Sequence, residues 1–181
     1  MRTSDFRLVA GLFIAIVAAY LLNLATFGWM NHFGIIPRTL PGLIGVVTSP
    51  FLHGSFFHLL GNMLTFVPLA VMTAWTGKRH LEFASVFIIV VGGLLTWLLG
   101  REANHIGASG WIFGLWAFVV TYGVFRRDLK SIVLAILVVV LFTGLPLGLI
   151  PRQGISFEGH LFGMIAGFLA ARLLIKLNKN E

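Results

Sequence analysis

Four polar residues within apolar stretches of this sequence carry side chains that could perform hydrolysis. They are His58 and Asn62 in the segment HGSFFHLLGN, Ser109 in GASG, and His160 in EGHLFG. A serine hydroxyl becomes a nucleophile when an imidazole accepts its proton, and nearby N–H groups can stabilise the oxyanion that then forms. These residue types therefore predict a serine hydrolase site, provided that the fold brings them together.

Three of these residues stand at a similar distance from a basic residue further along the chain. The pairs, sixteen or seventeen residues apart, are Asn62 with Lys78, Ser109 with Arg126, and His160 with Lys176. At the helical rise of 1.5 Å per residue each pair spans roughly 24–26 Å, whereas the hydrocarbon core of a bilayer is about 30 Å thick. We therefore expect the site to lie within a membrane, below the surface opposite the basic residues.

The composition is that of a membrane protein. Of 181 residues, 58% are hydrophobic and 10% are charged, whereas soluble domains carry about 25% charged residues. The apolar residues form six runs: Leu8–Met30, His58–Trp75, Leu81–Gly100, Ser109–Phe125, Ile132–Ile150 and Gly159–Ile175. Only helices satisfy every backbone group within one segment in lipid. The sequence therefore predicts an all-α, polytopic bundle of six transmembrane helices that forms a single domain over residues 1–181.

The basic residues predict the orientation of this bundle. With six spans, ten fall on one side: Arg2, Arg7, Lys78, Arg79, Arg126, Arg127, Lys130, Arg172, Lys176 and Lys179. The other side receives three: Arg38, Arg101 and Arg152. Cytoplasmic loops are enriched in Lys and Arg, so we expect both termini in the cytoplasm. The net charge of +7 is accordingly interpreted as a topology signal, and no nucleic-acid partner is expected.

Ser109 has two interpretations. It lies between Gly107-Ala108 and Gly110, and such small residues also allow membrane helices to pack closely without any chemistry. However, the span that Ser109 opens is short and ends at Arg126, so its helix should begin within the bilayer. The free N–H groups and positive dipole end of that helix would stabilise an oxyanion.

His160 lies near the start of the last span, where the alternative is an unspecialised interfacial histidine. Gly163 and Gly167 follow at i+3 and i+7 and would allow close approach to a neighbouring helix. If that helix begins with Ser109, the imidazole can act as its general base. The only two aspartates, at positions 5 and 128, are expected in the cytoplasm. Phe113 is therefore predicted to hold the ring by packing, which gives a Ser-His dyad rather than a triad.

His58 and Asn62 share a helix face at i and i+4, as two donors of an oxyanion hole would. His53 precedes them in a loop and is assigned a supporting role, whereas His32, His80 and His105 are placed in loops without a role. A metal site formed by His53, His58 and His160 is the rival interpretation, but it lacks a carboxylate or thiolate at suitable spacing, and the chain has no cysteine. No metal or cofactor is therefore expected.

The order of the motifs HGSFFHLLGN, GASG and GHLFGMIAG resembles the rhomboid family of intramembrane serine proteases. The resemblance implies that Ser109 is the nucleophile and His160 the general base. It also implies that His58, Asn62 and the Ser109 backbone N–H form the oxyanion hole, with His53 in support. Transmembrane segments of other proteins would be the substrates. The expected location is a bacterial inner membrane, with lipid around the protein and the site open to the outer side.

One feature of many rhomboids is missing. They carry a Trp-Arg pair in the first outer loop, eight to nine residues before the first motif histidine, where this chain has Ile44 and Gly45. The first loop should therefore be anchored differently, and the sequence identifies neither a particular substrate nor an oligomeric state. A non-catalytic rhomboid-like protein that binds client transmembrane helices is the alternative function.

Overall fold

The computed structural model describes residues 3–77, 79–152 and 154–177, and every regular element in these ranges is helical. The α-helices are α1 (Thr3–Ala25), α2 (Gly45–Thr48), α3 (Phe56–Thr76), α4 (His80–Phe87), α5 (Gly93–Leu99), α6 (Ser109–Arg126), α7 (Leu129–Leu141) and α8 (Phe157–Leu177). A π-helical turn, Ile88–Gly92, joins α4 to α5, and 3₁₀ turns occupy Trp29–Phe33, Pro41–Leu43, Ser49–Phe51 and Leu145–Leu149. Arg2, Lys78 and Lys179, which entered the charge count, lie outside the described residues.

Four of the described helical stretches are long and apolar enough to cross a membrane: α1, α3, the continuous path His80–Leu99, and α8. Helix α7, with 13 residues, is shorter. Helix α6 has 18 residues, of which most are buried by its neighbours. The predicted all-helical fold is thus confirmed for the described residues, and four of the six predicted spans are helices of sufficient length and apolar character to cross a membrane.

Two of the predicted runs extend beyond their helices. The first was expected to reach Met30, but α1 ends at Ala25, because Phe27 and Gly28 adopt positive φ angles of 51° and 83°. The N–H of Gly28 bonds back to the carbonyl of Asn23 at 2.8 Å, which closes the helix end. The fifth run was expected to reach Ile150, but α7 ends at Leu141, before a segment that contains Gly144 and Pro146.

Helix α6 forms the centre of the bundle. It packs against α3, α4, α7 and α8, and the side chains of Leu115, Phe118 and Val119 are completely buried. A helix surrounded on all sides can be apolar around its whole circumference. This position fixes the first residue of α6, Ser109, relative to the four helices around it.

His80 and His105, both predicted to lie in loops without a role, are buried, and His80 belongs to a helix. His80 begins α4, and its buried ring packs edge-on against Phe118 and Tyr122. His105 is buried and forms a two-bond antiparallel bridge with Ile35. Short helical turns and such bridges arise from contacts between distant segments, so local sequence patterns do not indicate them.

Candidate active site

Ser109 is the first residue of α6, and the backbone before it is tightly constrained. Gly107 has a φ angle of +116°, and a Cβ atom on it would lie 2.6 Å from Nε2 of His58. Only glycine fits such a conformation and such a close approach. Gly107 is thereby held against the His58 ring, two residues before Ser109, and the first N–H groups of α6 have no partner within the helix.

His160 is hydrogen bonded to Ser109. Its Nε2 atom lies 2.8 Å from the Ser109 Oγ atom, and its Nδ1 atom lies 2.7 Å from the backbone carbonyl oxygen of Gly148. Because a carbonyl oxygen only accepts hydrogen bonds, Nδ1 carries the proton of the neutral ring. Nε2 is then the acceptor for the Ser109 hydroxyl, which is the tautomer that a general base requires.

Phe113 lies one turn after Ser109 and covers one face of the His160 ring. The two ring centroids are 4.2 Å apart and the planes differ by 6°, which is a stacked arrangement. His160 itself is buried. The ring is therefore oriented by two hydrogen bonds and one stacking contact, none of which involves a charged group.

Five glycines bring the backbones of α6 and α8 together. A Cβ atom on Gly163 would lie 2.0 Å from the carbonyl oxygen of Gly110, and one on Gly167 would lie 2.0 Å from that of Gly114. A Cβ on Gly110 would in turn meet the carbonyl oxygen of Gly159 at 2.9 Å. Such contacts permit shorter separations than the 8–10 Å of ordinary helix pairs, and they place His160 within reach of Ser109.

His58 and Asn62 lie on the first turns of α3 and line the same open cavity as Ser109 and His160, with a volume of about 760 Å³. The Nδ2 atom of Asn62 is buried and has no hydrogen-bond partner among the described residues. An unpaired amide N–H beside a serine hydroxyl can bind an oxyanion. The structure thus brings together all four residues singled out from the sequence.

His53 lies before α3, completely buried, with its ring edge-on to that of His58 at 4.9 Å. Burial and the nearby His58 lower the pKa of His53 to about 4, so the ring is neutral at physiological pH. A neutral ring can accept a hydrogen bond, and Nε2 lies 3.5 Å from the backbone N–H of Ala108. His53 thereby contacts the segment that leads to Ser109.

Several residues that contact the site were not identified from the sequence. Arg101 is paired with Glu158 at 3.4 Å, donates a hydrogen bond to the carbonyl of Ile155, and lies over the ring of Phe157. His105 Nδ1 lies 2.5 Å from the Ser156 Oγ atom. These contacts join the loop before Ser109 to the loop before His160. In the sequence, the opposite charges of Arg101 and Glu158, each close to one of the motifs, are the one feature that could have indicated these contacts.

The rival metal interpretation has no structural counterpart in the part of the chain that the structure describes. Within it, no group of three or more His, Asp or Glu side chains is placed to hold a metal ion. The ring of His53 lies edge-on to that of His58, while Nε2 and Nδ1 of His160 contact Ser109 and Gly148, respectively. The arrangement that remains is a hydroxyl, a neutral imidazole and unpaired N–H donors around one cavity.

Comparison with known proteins gives a family model, described as the Rhomboid domain, that matches residues 41–177. An uncharacterized protein of Mycobacterium tuberculosis is 38% identical over 151 residues, which cover 78% of this chain and 63% of that protein. The rhomboid-type serine protease 2 of Eremothecium gossypii is 34% identical over 179 residues, or 90% of this chain and 65% of that protein. RHOMBOID-like protein 4 of Arabidopsis thaliana is 28% identical over 166 residues, or 85% and 39%. The chain thus spans less than two thirds of the length of these relatives.

Proposed function

This chain belongs to the rhomboid family, and from that premise we propose that it is an intramembrane serine endopeptidase that cleaves transmembrane segments of other membrane proteins. The observation that carries the proposal is the 2.8 Å contact between Ser109 Oγ and His160 Nε2 at the start of a buried helix. A serine used only for packing would need neither a hydrogen bond to a histidine nor a histidine held in one tautomer.

The chemistry follows from the positions of the protons. Ser109 Oγ attacks the peptide carbonyl carbon while His160 Nε2 accepts the hydroxyl proton. The C–N bond breaks as His160 returns that proton to the leaving amine, which leaves an acyl ester on Ser109. Water then attacks the ester while His160 accepts its proton. The bond between the acyl carbon and Ser109 Oγ breaks as His160 returns the proton to Oγ, and the new carboxyl end is released. The cavity of about 760 Å³ gives water access to this ester.

The negative oxygen of each tetrahedral intermediate is stabilised by His58, Asn62 and the backbone N–H of Ser109. The free Nδ2 of Asn62 supports this assignment, as does the position of Ser109 at the positive end of α6. The Gly148 carbonyl holds the Nδ1 proton of His160 in the place that a carboxylate occupies in a triad. Phe113 keeps the ring plane fixed between the two steps.

The proposed topology has six crossings, made by α1, α3, the α4–α5 path, α6, α7 with its following turn, and α8. Both termini are then cytoplasmic, in a bacterial inner membrane, and the cavity opens to the outer side. The described basic residues support this orientation. Arg79, Arg126 and Arg127 lie at the ends of α4 and α6, and Arg172 and Lys176 lie in the C-terminal half of α8, away from His160. Such enrichment is typical of the cytoplasmic side.

The experiment that tests the function combines labelling and cleavage. A fluorophosphonate probe should modify Ser109 in the folded protein, and the Ser109→Ala variant should not be labelled. Cleavage of a model transmembrane substrate should be lost in Ser109→Ala and in His160→Ala, and the double variant should be no worse than either, since residues of one nucleophilic unit act non-additively.

Thermal unfolding in detergent serves as the control that each variant is folded. Labelling of another residue, absence of labelling in the folded wild type, or near-normal turnover in His160→Ala would each contradict the proposal. In that case the non-catalytic function, binding of client helices, would account for the family membership.

A further inference from the structure

Loop 1, residues 26–55, has Gly45 at the position where many rhomboids carry the arginine of the Trp-Arg pair. An arginine side chain does not fit at this position. A Cβ atom on Gly45 would lie 2.3 Å from the carbonyl carbon and oxygen of Gly34 and from the nitrogen of Ile35. The backbone of one part of the loop thus crosses directly over another part at this glycine. Any side chain here would displace the crossing, so the loop requires an anchor elsewhere.

Arg38 makes the contacts expected of such an anchor. Its Nη1 atom donates hydrogen bonds to the carbonyl oxygens of Gly100 at 2.7 Å and Leu98 at 3.4 Å. Its backbone N–H donates to the carbonyl oxygen of Trp97 at 2.9 Å. These carbonyls lie at the C-terminal end of α5, where backbone acceptors have no partner within the helix and where a cation is favoured. Arg38 therefore caps α5 from loop 1.

Trp97 completes the connection from the other side. Its indole Nε1–H donates to the carbonyl of Thr39 at 2.8 Å, so α5 and the loop exchange hydrogen bonds in both directions. The backbone of Arg38 has a positive φ angle of 59°, which is uncommon for a residue with a side chain. That conformation turns the chain so that both bonds to Trp97 can form.

The opposite edge of loop 1 contacts the segment that precedes Ser109. Ile35 and His105 exchange two backbone hydrogen bonds of 3.0 and 2.9 Å, and the N–H of Gly107 donates to the carbonyl of Ser49 at 2.9 Å. Gly107 is two residues before Ser109 and lies against the His58 ring. Loop 1 thus spans from the end of α5 to the start of α6 and holds both.

We propose that Arg38 and Trp97 are positioning residues, which anchor loop 1 to the end of α5 and through it fix Gly107 and Ser109 against the oxyanion donors. Neither residue lines the cavity of the site, so their effect is indirect. The inference rests on the proposed function for its effect on catalysis, whereas the anchoring itself is measured independently of activity.

The kinetic test compares Arg38→Gln and Trp97→Phe with wild type. A displacement of the nucleophile of about 1 Å can lower the rate on the order of 10²-fold. Arg38→Gln should therefore lower kcat by roughly 10–100-fold with an unchanged KM, and Trp97→Phe, which keeps the ring and loses one donor, should lower it less. Arg38→Lys should restore part of the activity, because it returns a cation to the Leu98 and Gly100 carbonyls.

Glu102→Gln is the matched control. Glu102 is the carboxylate nearest to Arg38, at 3.9 Å, but its side chain is 91% exposed, and such pairs contribute little. This variant should keep wild-type kcat. A loss in Glu102→Gln equal to that in Arg38→Gln would show that the ion pair, rather than the carbonyl contacts, is responsible, and would overturn the proposal.

Hydrogen exchange measures the anchoring without any substrate. In folded Arg38→Gln and Trp97→Phe proteins, the amides of residues 34–36 and 104–107 should exchange faster than in wild type, while those of α6 remain unchanged. If the wild-type protein does not cleave the transmembrane substrate, the proposed function fails, but hydrogen exchange still tests whether Arg38 and Trp97 anchor loop 1. Unchanged exchange in both variants, or faster exchange with an unaltered kcat in an active enzyme, would contradict the inference. If Arg38→Gln does not fold, Trp97→Phe and Arg38→Lys decide in the same way.

Discussion

His160 is held on three sides by groups that carry no charge. The Ser109 hydroxyl and the Gly148 carbonyl lie at its two nitrogens, and the Phe113 ring lies against its face. In a protein interior of low dielectric constant, a carboxylate beside the ring would itself need further partners. A backbone carbonyl and an aromatic face give the orientation without that requirement, which suits a site within a membrane.

The contribution of Asn62 to catalysis can be measured by its removal. Asn62→Ala should slow turnover by about 10²–10³-fold, because one donor of an oxyanion hole typically contributes that factor. Measurable activity should remain, since His58 and the Ser109 backbone N–H still face the oxyanion. The measurement is kcat for cleavage of a transmembrane substrate, compared with the Ser109→Ala background.

Thr65→Ala provides the control for this variant. Thr65 lies on the same helix, and its hydroxyl bonds to the carbonyl of Gly61 at 3.0 Å without lining the cavity. Its removal should leave kcat unaltered. Complete loss of activity in a folded Asn62→Ala protein would mean that Asn62 does more than donate one hydrogen bond.

At the scale of residues, the sequence predicted the side chains that meet in the cavity, because a serine, an asparagine or a histidine is conspicuous within an apolar run. The sequence did not predict the contact between His160 and Gly148, because the acceptor is a backbone carbonyl, a group present in every residue. Nor did it predict the His105–Ser156 contact, since the two residues are far apart in sequence and lie in irregular segments. Their proximity results from the fold rather than from a local pattern.

The glycines of α8 act at the scale of helices. Gly163→Val and Gly167→Val should each abolish cleavage, because a Cβ atom alone would lie 2.0 Å from the carbonyl oxygens of Gly110 and Gly114. These are backbone atoms at the start of α6 and cannot move without moving Ser109. Alanine already carries this Cβ, so Gly163→Ala should also impair activity strongly. Cleavage rate and thermal unfolding are measured together for each variant.

Gly11→Val is the matched control for the two valine substitutions in α8. Gly11 lies in α1, and among the described residues no atom beyond its chain neighbours and the adjoining backbone of α1 lies within 4 Å of the position that its Cβ would take. This variant should retain both activity and thermal stability. Near-normal cleavage in both α8 valine variants would mean that α6 and α8 can separate without loss of the Ser109–His160 contact, contrary to the packing described above.

The ends of α1 and α7 and the fold of loop 1 do not follow from the apolar runs of the sequence. The apolar runs identified where helices occur, because burial in lipid requires continuous apolar helix. They did not identify where α1 and α7 end, because Gly28 and the Gly144–Pro146 region terminate these helices within runs that remain apolar. The fold of loop 1 could not be predicted either, since it depends on the crossing of Gly34 and Gly45 and on bonds from Arg38 to another helix.

In the whole molecule, the basic residues between α6 and α7 and the cavity of the site lie at opposite ends of α6. Arg126, Arg127 and Lys130 lie around the junction of α6 and α7, whereas Ser109 lies at the other end of α6. The proposed topology depends most on α7, because 13 residues at 1.5 Å each span about 20 Å, less than a hydrocarbon core of about 30 Å. The turn Leu145–Leu149 has to supply the remaining depth.

The absence of cysteine from the sequence allows this topology to be tested with single substitutions in intact cells or oriented vesicles. Leu129→Cys lies at the start of α7 and Ile150→Cys follows the turn after it, and both native side chains are exposed. Neither substitution alters the charge on which the orientation depends. A membrane-impermeant maleimide added from outside should label Ile150→Cys at once and Leu129→Cys only after the membrane is opened. Ser4→Cys should behave like Leu129→Cys, because residues 4 and 129 would be separated by four crossings. Labelling of both α7 positions from the same side would show that α7 does not cross the membrane. The direction of α8 would then be opposite to the one proposed, and the C-terminus would lie on the outer side.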